Sequence, residues 1–153
     1  MKTEIKWALV LGIMTLLWFV LEQMTGFNDD FIEFHKTAGL LYLIPFALIY
    51  FLGLTQVKNL DNGGSLSLME GVKSSAMIAL YALPLIIIAA YIKIKFISPG
   101  FLENMSAWQI TSGADENMVK RTFSTSGFLI SSALYSLSGI VIGAIISFLI
   151  KTK

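Results

Sequence analysis

A lone histidine, a carboxylate closing an apolar run and a loose group of three further acids are the side chains whose types could do chemistry. His35 stands between Glu33 and Lys36, just ahead of a long apolar run. A single imidazole cannot make a histidine pair or a histidine-rich metal site. Its charged neighbours predict a hydrated, interfacial side chain rather than a ligand or general base. Asp29, Asp30 and Glu33 offer the hard oxygen ligands that divalent cations take, but they follow no cation-loop pattern and read as solvated loop charge. Glu22 follows the first apolar run. It is either a buried acid facing the bundle interior, since intramembrane acids tend to be functional, or an interfacial carboxylate reaching toward headgroups. Its terminal position predicts the second.

Serine is abundant in the last apolar run, but a serine nucleophile needs a base within reach. No Lys or His is expected inside any membrane-spanning segment, and no acid apart from Glu22. The same shortage speaks against proton or ion pathways, while hydroxyl-lined pores need no charge. Gly63-Gly64-Ser65 lacks the following lysine of a phosphate-binding loop and reads as a turn. With no cysteine there is no thiol nucleophile, disulfide or zinc-thiolate site. These residues predict no enzyme, no metal and no cofactor.

The elements that carry these residues follow from composition. The chain has 153 residues, 56% hydrophobic and 14% charged, with a mean hydropathy of +0.75. A soluble domain carries about 25% charge, and one as poor in charge as this would expose large apolar patches. Eleven basic residues against ten acidic ones give no field to hold nucleic acid. The charges bracket four charge-free runs: Trp7 to Leu21, Thr37 to Val57, Ser74 to Ile92 and Thr122 to Ile150. A helix crosses the hydrocarbon layer in about 20 residues, and lipid forces every backbone group to be satisfied internally. The prediction is an all-α, polytopic membrane protein, one integral domain over 1–153. Its spans lie at about 7–27, 37–57, 70–94 and 123–150, with an outer segment at 95–122 containing a short amphipathic helix.

The first run is short and is completed through Glu22 to Phe27. It lacks a small-residue cleavage pattern, so it is expected to stay as a span. Placing the N-terminus inside puts Lys2, Lys6, Lys58, Lys73, Lys151 and Lys153 on the inner side, against Lys36, Lys93, Lys95, Lys120 and Arg121 outside. That excess predicts cytoplasmic termini in a bacterial inner membrane.

Ser132, Ser136, Gly139, Gly143 and Ser147 recur at helical spacing as one smooth stripe. Such a stripe lets backbones approach closely, either within the helix bundle, the expected use, or across a dimer. The last run is expected to form one long helix whose polar start stands in the interface. Pro45 and Pro84 predict kinks in the second and third spans. Ser67 to Glu70 fits a capping box, starting the third helix at Leu68. Outside, Ser98-Pro99 predicts a helix start. Phe101, Leu102, Met105 and Trp108 then share one face, a possible partner surface. Asp115 and Glu116 begin a second short helical piece.

The glycine turn leading into Ser67-Leu68-Met69-Glu70-Gly71, the stretch from Tyr91 through Glu103, and Gly113-Ala114-Asp115-Glu116 resemble the domain-of-unknown-function family 4199 of four-helix bacterial membrane proteins. The resemblance implies an integral inner-membrane protein and brings no substrate, cofactor or catalytic residue. The expected role is an accessory or assembly component acting through protein association. Its partners would be the lipid bilayer and either further copies of itself or another membrane protein. The alternative is a subunit of an oligomeric transporter or pore.

Overall fold

The computed structural model describes residues 2–152 of the chain; Lys153, counted above on the inner side, lies outside the described residues. The chain is mainly helical, with no strand among the described residues. α1 (Thr3–Met24), α2 (His35–Gln56) and α3 (Leu68–Ile92) are long apolar helices, and α4 (Phe101–Thr111) and α5 (Glu116–Thr122) are short. α6 (Thr125–Leu137) and α7 (Gly139–Ile150) form the last span together. Four segments are thus long and apolar enough to cross a membrane, and the protein is a polytopic membrane protein with four transmembrane helices.

Local chemistry sets the helix ends. Ser67 and Glu70 complete the expected capping box: the Glu70 amide donates to Ser67 Oγ at 3.2 Å and the Ser67 amide to Glu70 Oε2 at 2.7 Å. The preceding turn uses Gly63 and Gly64 at φ of +60° and +89°, where a side chain would be strained. Asp115 and Ser124 cap α5 and α6 by accepting from the amides of Met118 and Gly127. α2 and α3 continue unbroken through Pro45 and Pro84.

Two expectations are corrected here. The last span is not one continuous helix: it breaks at Ser138, whose hydroxyl donates to Tyr135 O at 2.6 Å. A serine side chain that bonds back to its own backbone competes with the helical ladder, and Gly139, a weak helix former, follows it. Nor does Ser98 start the amphipathic helix. α4 begins at Phe101, and Ser98 is buried in a polar contact with the α1–α2 connection.

The spans pack in the order α1, α2, α6–α7, α3 around the centre, so α1 and α3 touch each other and run in the same direction. Tyr42, Phe46 and Tyr50, one helical turn apart on α2, stack as an aromatic column at 5.6 and 5.3 Å between rings. Against this column lies the small-residue stripe. A Cβ on Gly139 would collide with the Tyr50 ring, and one on Gly143 with Ser75. Large side chains on α2 therefore fit where the last span has none, giving the close approach that helix association in lipid requires. Outward-facing Ile13, Leu17, Leu40, Ile44, Ile88 and Phe148 are exposed, as lipid contact demands.

The two ends of the molecule differ. The terminal end carries both chain termini and the α2–α3 turn. There Gln56 Oε1 accepts from Lys6 Nζ and Trp7 Nε1, Lys58 Nζ donates to Ile150 O at 2.8 Å, and the Thr152 amide to Leu66 O at 2.9 Å. The cap end is covered by α4, whose Phe101 and Met105 form a second apolar cluster with Ile94.

Candidate functional site

The centre of the cap end is an ion pair. Glu22, two residues before the end of α1, and Lys93, directly after α3, lie 2.6 Å apart with 4% and 1% of their side chains exposed. Both groups sit at the same end because the two helices run in parallel. After Ile92 the chain widens into a π-type turn, Lys93–Ile97, which carries Lys93 to the end of α3 beside α1. Trp18, one turn before Glu22, donates from Nε1 to Glu22 Oε1 at 3.0 Å, so both carboxylate oxygens are engaged. The ammonium also faces the rings of Phe101 at 4.0 Å, Phe19 at 4.7 Å and Phe128 at 5.8 Å. Taking two charges out of water costs several kcal/mol per ion, offset only by close pairing and further hydrogen bonds. Carboxylate, indole and aromatic faces supply those here.

Beside the pair is a cavity of about 210 Å³ lined from α1, α2, α3 and α6. Its walls are mainly aromatic: Trp18, Phe19, Tyr42, Phe128 and Tyr135, with His35 at the start of α2. Tyr42 donates to Thr15 Oγ1 at 2.7 Å, and the Thr15 hydroxyl donates in turn to Leu11 O at 2.8 Å, so this hydroxyl pair is satisfied. Two other polar atoms are not. His35 Nδ1 and Tyr135 Oη are buried without a hydrogen-bond partner among the described residues. A second recess of about 510 Å³ opens at the terminal end, but Lys2, Asp61, Glu70 and Lys73 along it are exposed and mix both signs of charge. Among the described residues no group of three or more His, Cys, Asp or Glu is placed to hold a metal ion.

The cap is knitted to this site by amides and hydroxyls. Asn28 Nδ2 donates to Ser98 Oγ at 2.9 Å, Ser98 in turn to Gln23 Oε1, and Asn104 Nδ2 on α4 to Asn28 O at 3.2 Å. These bonds join the α1–α2 connection, the α3–α4 connection and α4 into one cover.

Three expectations change. Glu22 is not an interfacial carboxylate; it is buried against Lys93, which neutralises it and whose ammonium is covered by Phe101 of α4. Ionisable side chains do lie within the spans: Lys93 belongs to the third and His35 to the second. His35 is not a hydrated surface group, since its ring packs at a tilt against Phe101, centroids 4.8 Å apart, and lines the cavity. Of the proposed partner face, Phe101 and Met105 point into the fold, while Leu102 and Trp108 are half-buried against the same cluster. In the stripe, Ser136, Gly139, Gly143 and Ser147 are buried against α2 and α3, and Ser132 lines the cavity. Asp29, Asp30 and Glu33 are exposed.

Lys93, Trp18, Tyr42 and Tyr135 were not singled out from the sequence. A signal existed for Lys93: charges of opposite sign follow the first and third apolar runs, whose helices must end on the same side of the membrane. The column Tyr42, Phe46, Tyr50 is likewise visible as a spacing of four.

The family described as a protein of unknown function (DUF4199) matches residues 6–152, nearly the whole chain. No curated protein and no solved structure matches it.

Proposed function

We propose, for a chain that belongs to the DUF4199 family of unknown function, a membrane-embedded binding protein that works at its cap-end cavity on a small lipid-soluble molecule. The observation that carries this reading is the Glu22–Lys93 pair facing an aromatic cavity in which two polar atoms have no partner. Ionisable residues inside membrane spans are costly and mark functional paths and sites. Largely apolar cavities with a few convergent polar groups are the usual form of a small-molecule site. This reading lies nearer to a transporter subunit than to an accessory protein. The two elements that would serve association, the stripe and the α4 face, direct most of their side chains into the fold. The chemistry is binding rather than catalysis, because Glu22 is tied to Lys93 and Trp18.

The test is native mass spectrometry of the full chain released gently from its membrane. The expected result is a bound small molecule that is not a phospholipid, lost when Gly39→Leu fills the cavity wall. An empty protein, or one carrying only phospholipid, overturns the reading. Isolation of a stoichiometric protein partner without any bound small molecule would favour the accessory role instead.

The same proposal places the protein in a bacterial inner membrane with both termini in the cytoplasm, supported by the lysines at the terminal end. The chain has no cysteine, so single substitutions report topology directly. Ser112→Cys is expected to react with an impermeant maleimide in intact spheroplasts and Asn59→Cys only after lysis; the opposite pattern reverses the orientation.

A further inference from the structure

We infer that the cavity takes the ring of a membrane quinone or its quinol: a neutral, flat, oxygen-bearing ring with an apolar tail. This rests on the binding reading above and narrows it to one chemical class.

Charge comes first. Glu22 and Lys93 neutralise each other, and both carboxylate oxygens are already engaged. An ionic ligand would bring an uncompensated charge into a site that has none to offer it, and a buried charge without a partner is strongly disfavoured. The guest is therefore neutral. Its polarity is set by His35 Nδ1 and Tyr135 Oη, two buried atoms of cavity-lining residues that have no hydrogen-bond partner among the described residues. A buried polar group without a hydrogen bond is unfavourable, so the site favours a guest bearing oxygens. A ring carbonyl accepts from the tyrosine hydroxyl. A ring hydroxyl donates to the imidazole nitrogen in its unprotonated form.

Shape comes next. Trp18, Phe19, Tyr42 and Phe128 present aromatic surfaces suited to a flat ring. A cavity of roughly 150 Å³ takes up benzene, so one of about 210 Å³ has room for a single substituted six-membered ring.

The way in follows from exposure. Gly39 and Ser131 line the cavity and are exposed, and nothing lies within 4 Å of the place a Gly39 side chain would occupy. Neighbouring Leu40, Ile130 and Leu134 are exposed apolar side chains, so this opening faces lipid. A tail attached to the ring passes out through it, as that of a lipid-dissolved quinone would.

A decyl-tailed benzoquinone added to the full chain in detergent tests this, with Trp18 as the reporter in a Trp7→Phe/Trp108→Phe background. The expected result is saturable quenching of Trp18 emission that excess quinol competes away and decanol does not. Tyr135→Phe and His35→Phe each weaken binding about tenfold, the scale of one lost hydrogen bond to a buried group. Gly39→Leu, whose Cβ meets no neighbour within 4 Å, abolishes it while the melting temperature stays unchanged. Quenching that rises linearly with probe, or equal affinity in the Tyr135 and His35 variants, overturns the inference. A different neutral molecule found in the cavity by native mass spectrometry rejects the quinone and leaves the binding reading standing. A cavity holding only water or phospholipid rejects both.

Discussion

The two ends of this molecule handle polar groups in opposite ways. At the terminal end Lys58 is anchored on the last carbonyl of α7, Gln56 bridges Lys6 and Trp7, and Lys2, Asp61, Glu70 and Lys73 along the recess are exposed. Each contact there closes a helix end or joins the chain termini, which is the work of a scaffold. At the cap end a carboxylate and an ammonium are removed from water by the protein's own outer helix, while neighbouring His35 and Tyr135 atoms go without partners. Stability alone would favour an apolar filling at such a place, because well-packed hydrophobic residues often match or exceed a buried ion pair. The contrast teaches that burial of charge, rather than presence of charge, separates site from scaffold in this chain.

The largest effect that would test the contrast is at Lys93. Lys93→Met leaves Glu22 buried and uncompensated, and is expected to cost about 3–5 kcal/mol, read from unfolding in mixed micelles. Adding Glu22→Leu should recover most of that loss. If the single and double variants were equally unstable, the pair would be packing rather than electrostatics. Gly139→Leu comes second, at about 1–3 kcal/mol or more, because the added side chain meets the Tyr50 ring; an unchanged melting temperature would show that the stripe is not pressed against α2. At the terminal end Ser67→Ala removes one half of the capping box and should cost about 1 kcal/mol by the same assay. The smallest effect belongs to the exposed pair Glu116–Lys120 on α5, one helical turn apart. Glu116→Gln should change stability by less than about 0.5 kcal/mol and less still in high salt. A loss there as large as at Lys93 would erase the distinction between buried and exposed pairs.

Much of the fold is legible in the run lengths. A helix must be about 20 residues long to cross the hydrocarbon layer, so the stretches between charges locate the four spans with little need of context. Ser67 to Glu70 and Gly63-Gly64 were readable because a capping box and a glycine turn are local devices. The break at Ser138 was not readable: in an apolar run a serine fits equally well in a helix or at its interruption, and the close approach of Gly139 to Tyr50 comes from another span. Ser98 was misread for a related reason. Ser-Pro suits a helix start, but the side chain is held instead by Asn28 and Gln23, seventy or more positions away.

By itself, then, the amino-acid order determined that the chain lives in lipid, how many times it crosses and where most helices begin, because those properties depend on transfer free energy and on bonds within one turn. The tertiary structure alone decided that Glu22 is a buried partner rather than an interfacial acid, that Lys93 lies beneath aromatic rings, and that His35 looks into a cavity. Those outcomes depend on which helix ends meet and on whether α4 folds back to exclude water. A charge at the end of a span is cheap or costly according to what covers it, and the cover is supplied by residues distant in the chain.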